Sequence, residues 1–492
     1  MTISNPVHPQ GKQFFWKDLQ EIDFTFQAPF FVALTDKQFF NAEQIVRLIP
    51  KKRMVVFGTW LGKPAVAKLF FEAQHAKRHA DKEVQGIKCL QENKIPTPEL
   101  YYQGVSEDRR LHILIFERLL GAQSLEEKGR IHPNIEDWFP LLQEAIIELA
   151  TQHALGVLQH DLHLKNFLIR ENMIYTLDGA EIEFFHHPLP KKQSLESLAL
   201  FLSQLGVGIE SYQKKLFLDY ANARGWLIKT EDLTTLFLII KQITDKRWQK
   251  FAKKIFRNSS HFCRIKNGSL RGMYNRDYAK PELLHFLRKP ESAFTHASAT
   301  LLKDGRSSTV LKVVFDEQTF VIKRYNIKTV SHFLRRCLRT TRAASCWRLA
   351  QKFYLFWIPT AKPVAYLERK YLGLSGKSYY VMEYVQSEYA SEYFKRYHHQ
   401  KDKIYRMIQN IANLFKKISR LSIIHGDLKI SNILLDENEQ LLLIDLDGSL
   451  EYLSLPRLEK AWRKEIRRFL ENFSDAELKE QFKIAWASVH HQ

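Results

Sequence analysis

A loop of the form Asp-x4-Asn occurs twice in this chain, as His160-Asp161-Leu162-His163-Leu164-Lys165-Asn166 and as His425-Gly426-Asp427-Leu428-Lys429-Ile430-Ser431-Asn432. The sequence around each copy repeats in the same order. Each half has a β-branched and aromatic stretch carrying a lysine, Pro64-Ala65-Val66-Ala67-Lys68-Leu69-Phe70 and Phe320-Val321-Ile322-Lys323-Arg324-Tyr325. A helix-forming stretch follows, then a Pro-marked turn at 95–98 or 358–363 and an apolar strand at 111–117 or 379–384. Apolar residues at helical spacing, 141–150 and 404–418, precede each loop, and a short strand leads from it to Asp178 or Asp445. The two lysines lie 255 positions apart and the two loop aspartates 266 apart. Offsets this close imply a duplication with small insertions. A chain of 492 residues also exceeds the size at which one core stops growing.

The expected division is an amino-terminal extension over 1–40, a first domain over 41–288 and a second over 289–492. The boundary is set by a stretch at 257–291 rich in basic, polar, Gly and Pro residues, including Lys266-Asn267-Gly268-Ser269. Hydrophobic residues at 45% and aromatics at 13% supply core material for both domains and exclude a disordered chain. The four cysteines show no CxxC pairing, so a reduced compartment without structural zinc is expected. The start lacks a basic segment followed by an apolar run, and no apolar run approaches the roughly 18 to 20 residues of a spanning helix. Membrane contact, if any, is expected to be peripheral.

An Asp followed five residues later by an Asn, then twelve or thirteen residues on by a second Asp, supplies what phosphoryl transfer needs. One carboxylate can take the proton of an acceptor hydroxyl, and an amide and a carboxylate oxygen are the hard ligands magnesium prefers. In the first half Asp161 is the candidate base, Asn166 and Asp178 are candidate magnesium ligands, and Lys68 is placed to contact the α/β-phosphates of ATP. Glu83, on an expected helix over 77–92, is spaced to pair with Lys68. In the second half the set is Asp427, Asn432, Asp445 and Lys323, with His425 at the position of an orienting histidine. Gln159 replaces that histidine in the first half. No acidic residue lies between Glu317 and Glu368, so Lys323 lacks a helix glutamate and needs another partner. The turn Lys303-Asp304-Gly305-Arg306-Ser307-Ser308 suits either a phosphate-covering loop or a hairpin, and Gly58-Thr59-Trp60-Leu61-Gly62-Lys63 is its expected counterpart.

Seventy-four Lys and Arg against 54 Asp and Glu give a charge of +20, which calls for an anionic partner. The basic stretch 323–362, with Arg339, Arg342, Arg348 and Lys352 among apolar residues and no acid of its own, is expected to present a basic amphipathic face to anionic lipid or a phosphorylated sugar. Nucleic acid is disfavoured, because no helix-turn-helix, zinc finger or RNA-recognition signature is present.

Gly58-Thr59-Trp60, Val66-Ala67-Lys68-Leu69-Phe70, Ile95-Pro96-Thr97-Pro98 and Asp161-Leu162-His163-Leu164-Lys165-Asn166-Phe167-Leu168 resemble the bacterial lipopolysaccharide kinases that phosphorylate heptose or Kdo in the inner core. The second half resembles them through Val321-Ile322-Lys323-Arg324-Tyr325-Asn326, Thr341-Arg342-Ala343-Ala344-Ser345-Cys346-Trp347-Arg348, Thr360-Ala361-Lys362-Pro363 and His425-Gly426-Asp427. The resemblance implies an α+β fold of two tandem protein-kinase-like domains, each a small β-rich amino-terminal lobe and a larger, mainly helical carboxy-terminal lobe. It further implies ATP and Mg2+, and phosphate transfer to a sugar hydroxyl of the lipopolysaccharide core. The reaction would take place at the cytoplasmic face of a Gram-negative inner membrane, with the protein peripheral to it. The same fold serves Ser/Thr protein kinases, and a tandem pseudokinase scaffold binding anionic lipid is the non-enzymatic alternative.

Overall fold

The computed structural model describes residues 9, 11–326, 339–371 and 374–490. Its class is α+β, and it splits into two compact units, residues 1–204 with 211–243 and residues 205–210 with 244–492. The division falls inside the helix Thr230–Lys254, well before residue 288.

The first unit opens with a seven-stranded sheet of order β1-β2-β3-β4-β5-β7-β6, formed by Lys12–Gln13 (β1), Phe30–Ala33 (β2), Phe39–Ile49 (β3), Arg53–Trp60 (β4), Lys63–Phe70 (β5), Leu100–Val105 (β6) and His112–Glu117 (β7). β1 and β2 come from residues 11–40, so the described part of the expected extension contributes strands to the sheet instead of preceding the domain. Phe30, Val32 and Leu34 are buried with Met54, Val56, Leu69 and Ile113 in its core. In β5 the period-two pattern of a strand puts Ala65, Ala67 and Leu69 into that core and leaves Val66 and Lys68 on the opposite face. The helix Ala76–Glu92 packs beneath through Ala80, Val84, Ile87 and Leu90, a helical repeat that carries Glu83 inward with them. The helical part follows with Phe139–Ala154 and Lys191–Leu202. Against them lie small sheets of order β11-β10-β8 and β12-β9, from Gln123–Ser124 (β8), Val157–Gln159 (β9), Phe167–Arg170 (β10), Met173–Thr176 (β11) and Ile182–Phe184 (β12).

The second unit has its own seven-stranded sheet, of order β13-β14-β18-β19-β17-β16-β15. The strands are Phe262–Asn267 (β13), Leu270–Asn275 (β14), Thr300–Asp304 (β15), Ser308–Phe315 (β16), Gln318–Tyr325 (β17), Pro363–Tyr371 (β18) and Leu374–Glu383 (β19). The stretch expected to link the domains thus forms β13 and β14, because β14 pairs with β18 from Leu270↔Arg369 to Tyr274↔Ala365. The helix Arg342–Leu355 starts on Thr341, whose hydroxyl accepts from the Ala344 amide, and buries Ala343, Cys346, Trp347, Ala350 and Phe353. Ser387–Tyr389 (β20), Ile423–Ile424 (β21), Ile433–Asp436 (β22), Leu441–Leu443 (β23) and Leu450–Glu451 (β24) complete its small sheets. The helices Lys401–Arg420 and Leu455–Leu470 enclose a core that holds Phe415, Trp462 and Phe469, each contributing roughly 2 to 3 kcal/mol of apolar burial.

Five strands run in the same antiparallel order in both units, β3-β4-β5-β7-β6 and β15-β16-β17-β19-β18. The register matches as well: Lys68 stands opposite Val55, and Lys323 opposite Val310. The additional strands differ, joining the β3 edge in the first unit and the β18 edge in the second. Each Pro-marked turn ties to the strand before the second aspartate, through Thr176 N–H to the Pro96 carbonyl at 2.8 Å and Leu443 N–H to the Pro359 carbonyl at 3.0 Å.

Lys328, Arg335 and Arg336 of the basic stretch lie outside the described residues. Most of its described members are drawn into ion pairs within the unit. Arg324 pairs with Glu291, Arg342 with Asp447, Lys362 with Glu383, and Arg348 and Lys352 both with Glu451. The acids missing from the local sequence are supplied by the fold. Among the described residues no helix is long and apolar enough to cross a membrane.

Candidate active site

In the first unit β5 and the helix Ala76–Glu92 bring Lys68 and Glu83 together, with Glu83 Oε1 accepting from Lys68 Nζ at 2.6 Å and from the Gly179 amide at 3.0 Å. Asp178 Oδ1 accepts from the same amine at 3.0 Å. Helix and loop meet backbone to backbone: a Cβ at Gly86 would stand 1.9 Å from the Gly179 carbonyl oxygen. Burial works against the Lys68 charge, but the two carboxylates more than offset it and raise its pKa. The ammonium in turn holds Asp178 below the usual carboxylate range.

The Asp161 loop is built by its own backbone. Asn166 donates its Nδ2 to the Asp161 carbonyl at 2.8 Å, which leaves its Oδ1 as the side-chain atom able to take a cation. The Leu177 amide donates to the Asn166 carbonyl at 2.8 Å, so Asn166 and Asp178 are neighbours. An amide oxygen and a carboxylate so placed suit magnesium, which needs few protein ligands when phosphate oxygens supply the rest. His163 Nε2 lies 3.1 Å from Asp161 Oδ1, and this contact keeps Asp161 below the ordinary aspartate value. Gln204 steadies the loop by accepting at Oε1 from His163 Nδ1 and by donating to the Leu162 carbonyl. Gln159, in the place of the expected histidine, is buried and donates to Gln152, which donates to Thr176.

Lys68, Glu83, Asn166 and Asp178 share one cleft of about 480 Å³, whose apolar walls include Val66 and Leu168. Arg47 and Arg53 also line it, and both act electrostatically on Asp178. They flank the turn between β3 and β4, the end of the sheet nearest Lys68. Gly58 to Lys63 instead forms the β4–β5 hairpin, closed by Trp60↔Lys63, so the expected phosphate turn is misplaced there. The true counterpart, Arg47-Leu48-Ile49-Pro50-Lys51-Lys52-Arg53, has no glycine and was hidden for that reason.

The second unit repeats the loop with different neighbours. Asn432 donates to the Asp427 carbonyl at 2.8 Å, and the Ile444 amide to the Asn432 carbonyl at 3.0 Å. Lys429 pairs with Asp427 at 2.9 Å, where the first loop has His163. His425 is buried against the Ile444 carbonyl at 2.9 Å, and that burial lowers its pKa. Glu465, from the helix Leu455–Leu470, accepts from the Gly426 and Leu428 amides at 2.6 and 3.1 Å. Lys323 pairs with Asp445 at 2.5 Å and with Asp447 at 3.4 Å, and Arg342 pairs with Asp447 from the other side. Burial opposes ionisation of Asp445, yet the Lys323 charge brings its pKa down to about 2. Cys346, at the place of the missing glutamate, bonds the Tyr325 hydroxyl and not Lys323. Lys303 to Ser308 is the β15–β16 hairpin, and Lys303 faces Val310 as Arg47 faces Val55.

Asp178 and Asp445 both adopt left-handed backbone, φ 69° and 62°, at the same place after the loop in each unit, a conformation that aspartate takes more readily than most residues other than glycine.

Residues 302–488 match the model of the Lipopolysaccharide kinase (Kdo/WaaP) family. The match takes in Lys323, Asp427, Asn432 and Asp445, so the second half of the chain is similar to a family of kinases and bears out the resemblance read from its motifs. No curated protein matches the chain.

Proposed function

We propose that the protein is a kinase of two tandem kinase-like domains that phosphorylates a sugar hydroxyl, of heptose or Kdo, in the lipopolysaccharide inner core at the cytoplasmic face of the inner membrane. The observation that carries this reading is the recurrence, in two sheets of the same five-strand order, of a lysine at one register position above an Asp-x4-Asn loop and a left-handed aspartate. The family match over the second half supports kinase chemistry and a lipopolysaccharide-related substrate.

ATP with magnesium supplies the phosphoryl group when bound. Asn166 with Asp178, and Asn432 with Asp445, would hold the cation, and Lys68 and Lys323 the phosphate oxygens. The carboxylate of Asp161 or Asp427 would take the proton of the sugar hydroxyl, its position fixed by the backbone bonds of the loop. The contact with His163 favours the charged form of Asp161. The cleft beside Lys68 gives the first unit an apolar slot for a flat heterocycle next to its phosphate-binding groups.

The test is incubation of the full chain with labelled ATP, magnesium and dephosphorylated core glycolipid. Transfer to the glycolipid is expected, and label on proteins alone overturns the substrate. Asp161→Ala and Asp427→Ala, made singly, are expected to reduce turnover roughly a hundredfold or more in whichever domain is active. If neither change nor the pair reduces transfer, the base positions are wrong.

A further inference from the structure

The helix Leu455–Leu470 has two faces with different chemistry. Leu458, Trp462, Glu465, Ile466 and Phe469 point into the core of the second unit. Arg457, Lys460, Arg463, Lys464, Arg467 and Arg468 occupy the opposite arc and are all exposed. Acids on that outer side are few: Glu459 lies 3.9 Å from Arg463, and Glu471 ends the helix. The segment leading into the helix carries three leucines turned to solvent, Leu450 at 57%, Leu453 at 107% and Leu455 at 64% exposure.

We propose that this helix and its leucines dock the second unit on an anionic lipid bilayer. A cationic arc alone would suit any polyanion. The leucines decide the partner, since a bilayer surface takes apolar side chains below the headgroups while anionic lipid meets the arginines and lysines above them. The element is continuous with the catalytic loop: Leu450 pairs with Ile424 in the β21–β24 ladder, and Glu465 on the inner face holds the amides on either side of Asp427. Docking would therefore set Asp427 at a fixed distance from the membrane. That last consequence rests on the kinase reading, whereas the docking itself does not.

Flotation of the full chain with vesicles of phosphatidylethanolamine and phosphatidylglycerol, against vesicles of phosphatidylcholine, tests the surface without ATP or glycolipid. Binding is expected to the anionic vesicles alone and to weaken with salt. The pair Leu453→Ser/Leu455→Ser and the triple change Lys460→Glu/Lys464→Glu/Arg467→Glu are each expected to cut it roughly tenfold or more, with an unchanged circular-dichroism melt. Equal binding to neutral vesicles, or anionic binding untouched by either set of changes, overturns the proposal. So does loss of binding with the charge changes but not the leucine changes, which would mark an acidic macromolecule as the partner. Because no phosphoryl transfer is read, failure here leaves the kinase reading standing, and failure of transfer leaves the docking standing.

Discussion

Asp447 lies 3.4 Å from the Lys323 amine in the second unit, the service that Glu83 gives Lys68 at 2.6 Å in the first. The polarity of the arrangement is exchanged. In the first unit the helix brings the acid, whereas in the second the helix Arg342–Leu355 brings Arg342, and the acid comes from the loop two residues after Asp445. Truncating one member of a desolvated charge pair leaves the other uncompensated. Asp447→Ala is therefore expected to weaken binding of an ATP analogue to the second unit by roughly tenfold or more, measured by calorimetry in a Lys68→Ala background. Unchanged affinity would mean that Asp445 alone positions Lys323.

On the kinase reading, Arg47 and Arg53, which line the cleft beside Asp178, would do with side chains what a glycine-rich turn does with amides. Replacing either by Ala is expected to raise the KM for ATP at the first unit by about tenfold, a single charge-assisted phosphate contact. The effect should shrink at high ionic strength. Steady-state kinetics of an Asp427→Ala chain reads this directly, and a KM unchanged in both variants would remove these residues from the site.

Gly86→Ala puts a Cβ where the Gly179 carbonyl stands. Helix Ala76–Glu92 would have to move off the loop, at a cost of about 1 to 3 kcal/mol, and Glu83 would move with it. A lower melting temperature together with weaker ATP binding is expected. Loss of stability with binding intact would show that the helix shifts without disturbing the Lys68–Glu83 pair.

Asp445 gives the second unit a defined pH response. Its pKa is depressed to about 2 in the fold, against about 3.9 unfolded. The stabilisation is thus present above the unfolded value and is lost as pH falls towards the folded one. Asp445→Asn is expected to cost about 2 kcal/mol at neutral pH and about half of that at pH 3. Hydrogen exchange of the amides at 430–446 in both proteins checks it, and a difference that grows on acidification would reverse the assigned sign.

The order of elements, Lys68, Glu83 and the two Asp-x4-Asn loops were legible because strand alternation, helical spacing and loop chemistry are local patterns. What lay between distant residues was not. Arg348 and Lys352 look like members of a free basic face until Glu451 arrives from a strand about a hundred positions away. Nothing local pairs Asp447 with Lys323 until the fold sets the two side by side. β13 reads as linker because it is an edge strand with Arg264 and Lys266 turned outward, so its sequence lacks the apolar run of an inner strand. The turn before Arg53 was missed because glycine was the signal sought, and which side the cations of the helix Leu455–Leu470 face is settled only by Leu458, Trp462 and Phe469 entering the core.

The strands added to the two sheets close different edges, and this has a practical side. Removing residues 1–38 would strip β2 from β3 and lay open the amides and carbonyls from Phe39 to Ala42, along with the core face once covered by Phe30 and Val32. Such a shortened chain would present an apolar ribbon ready to pair with its own kind. It would be recovered from cells as aggregate, whereas the full chain carries its own edge guard.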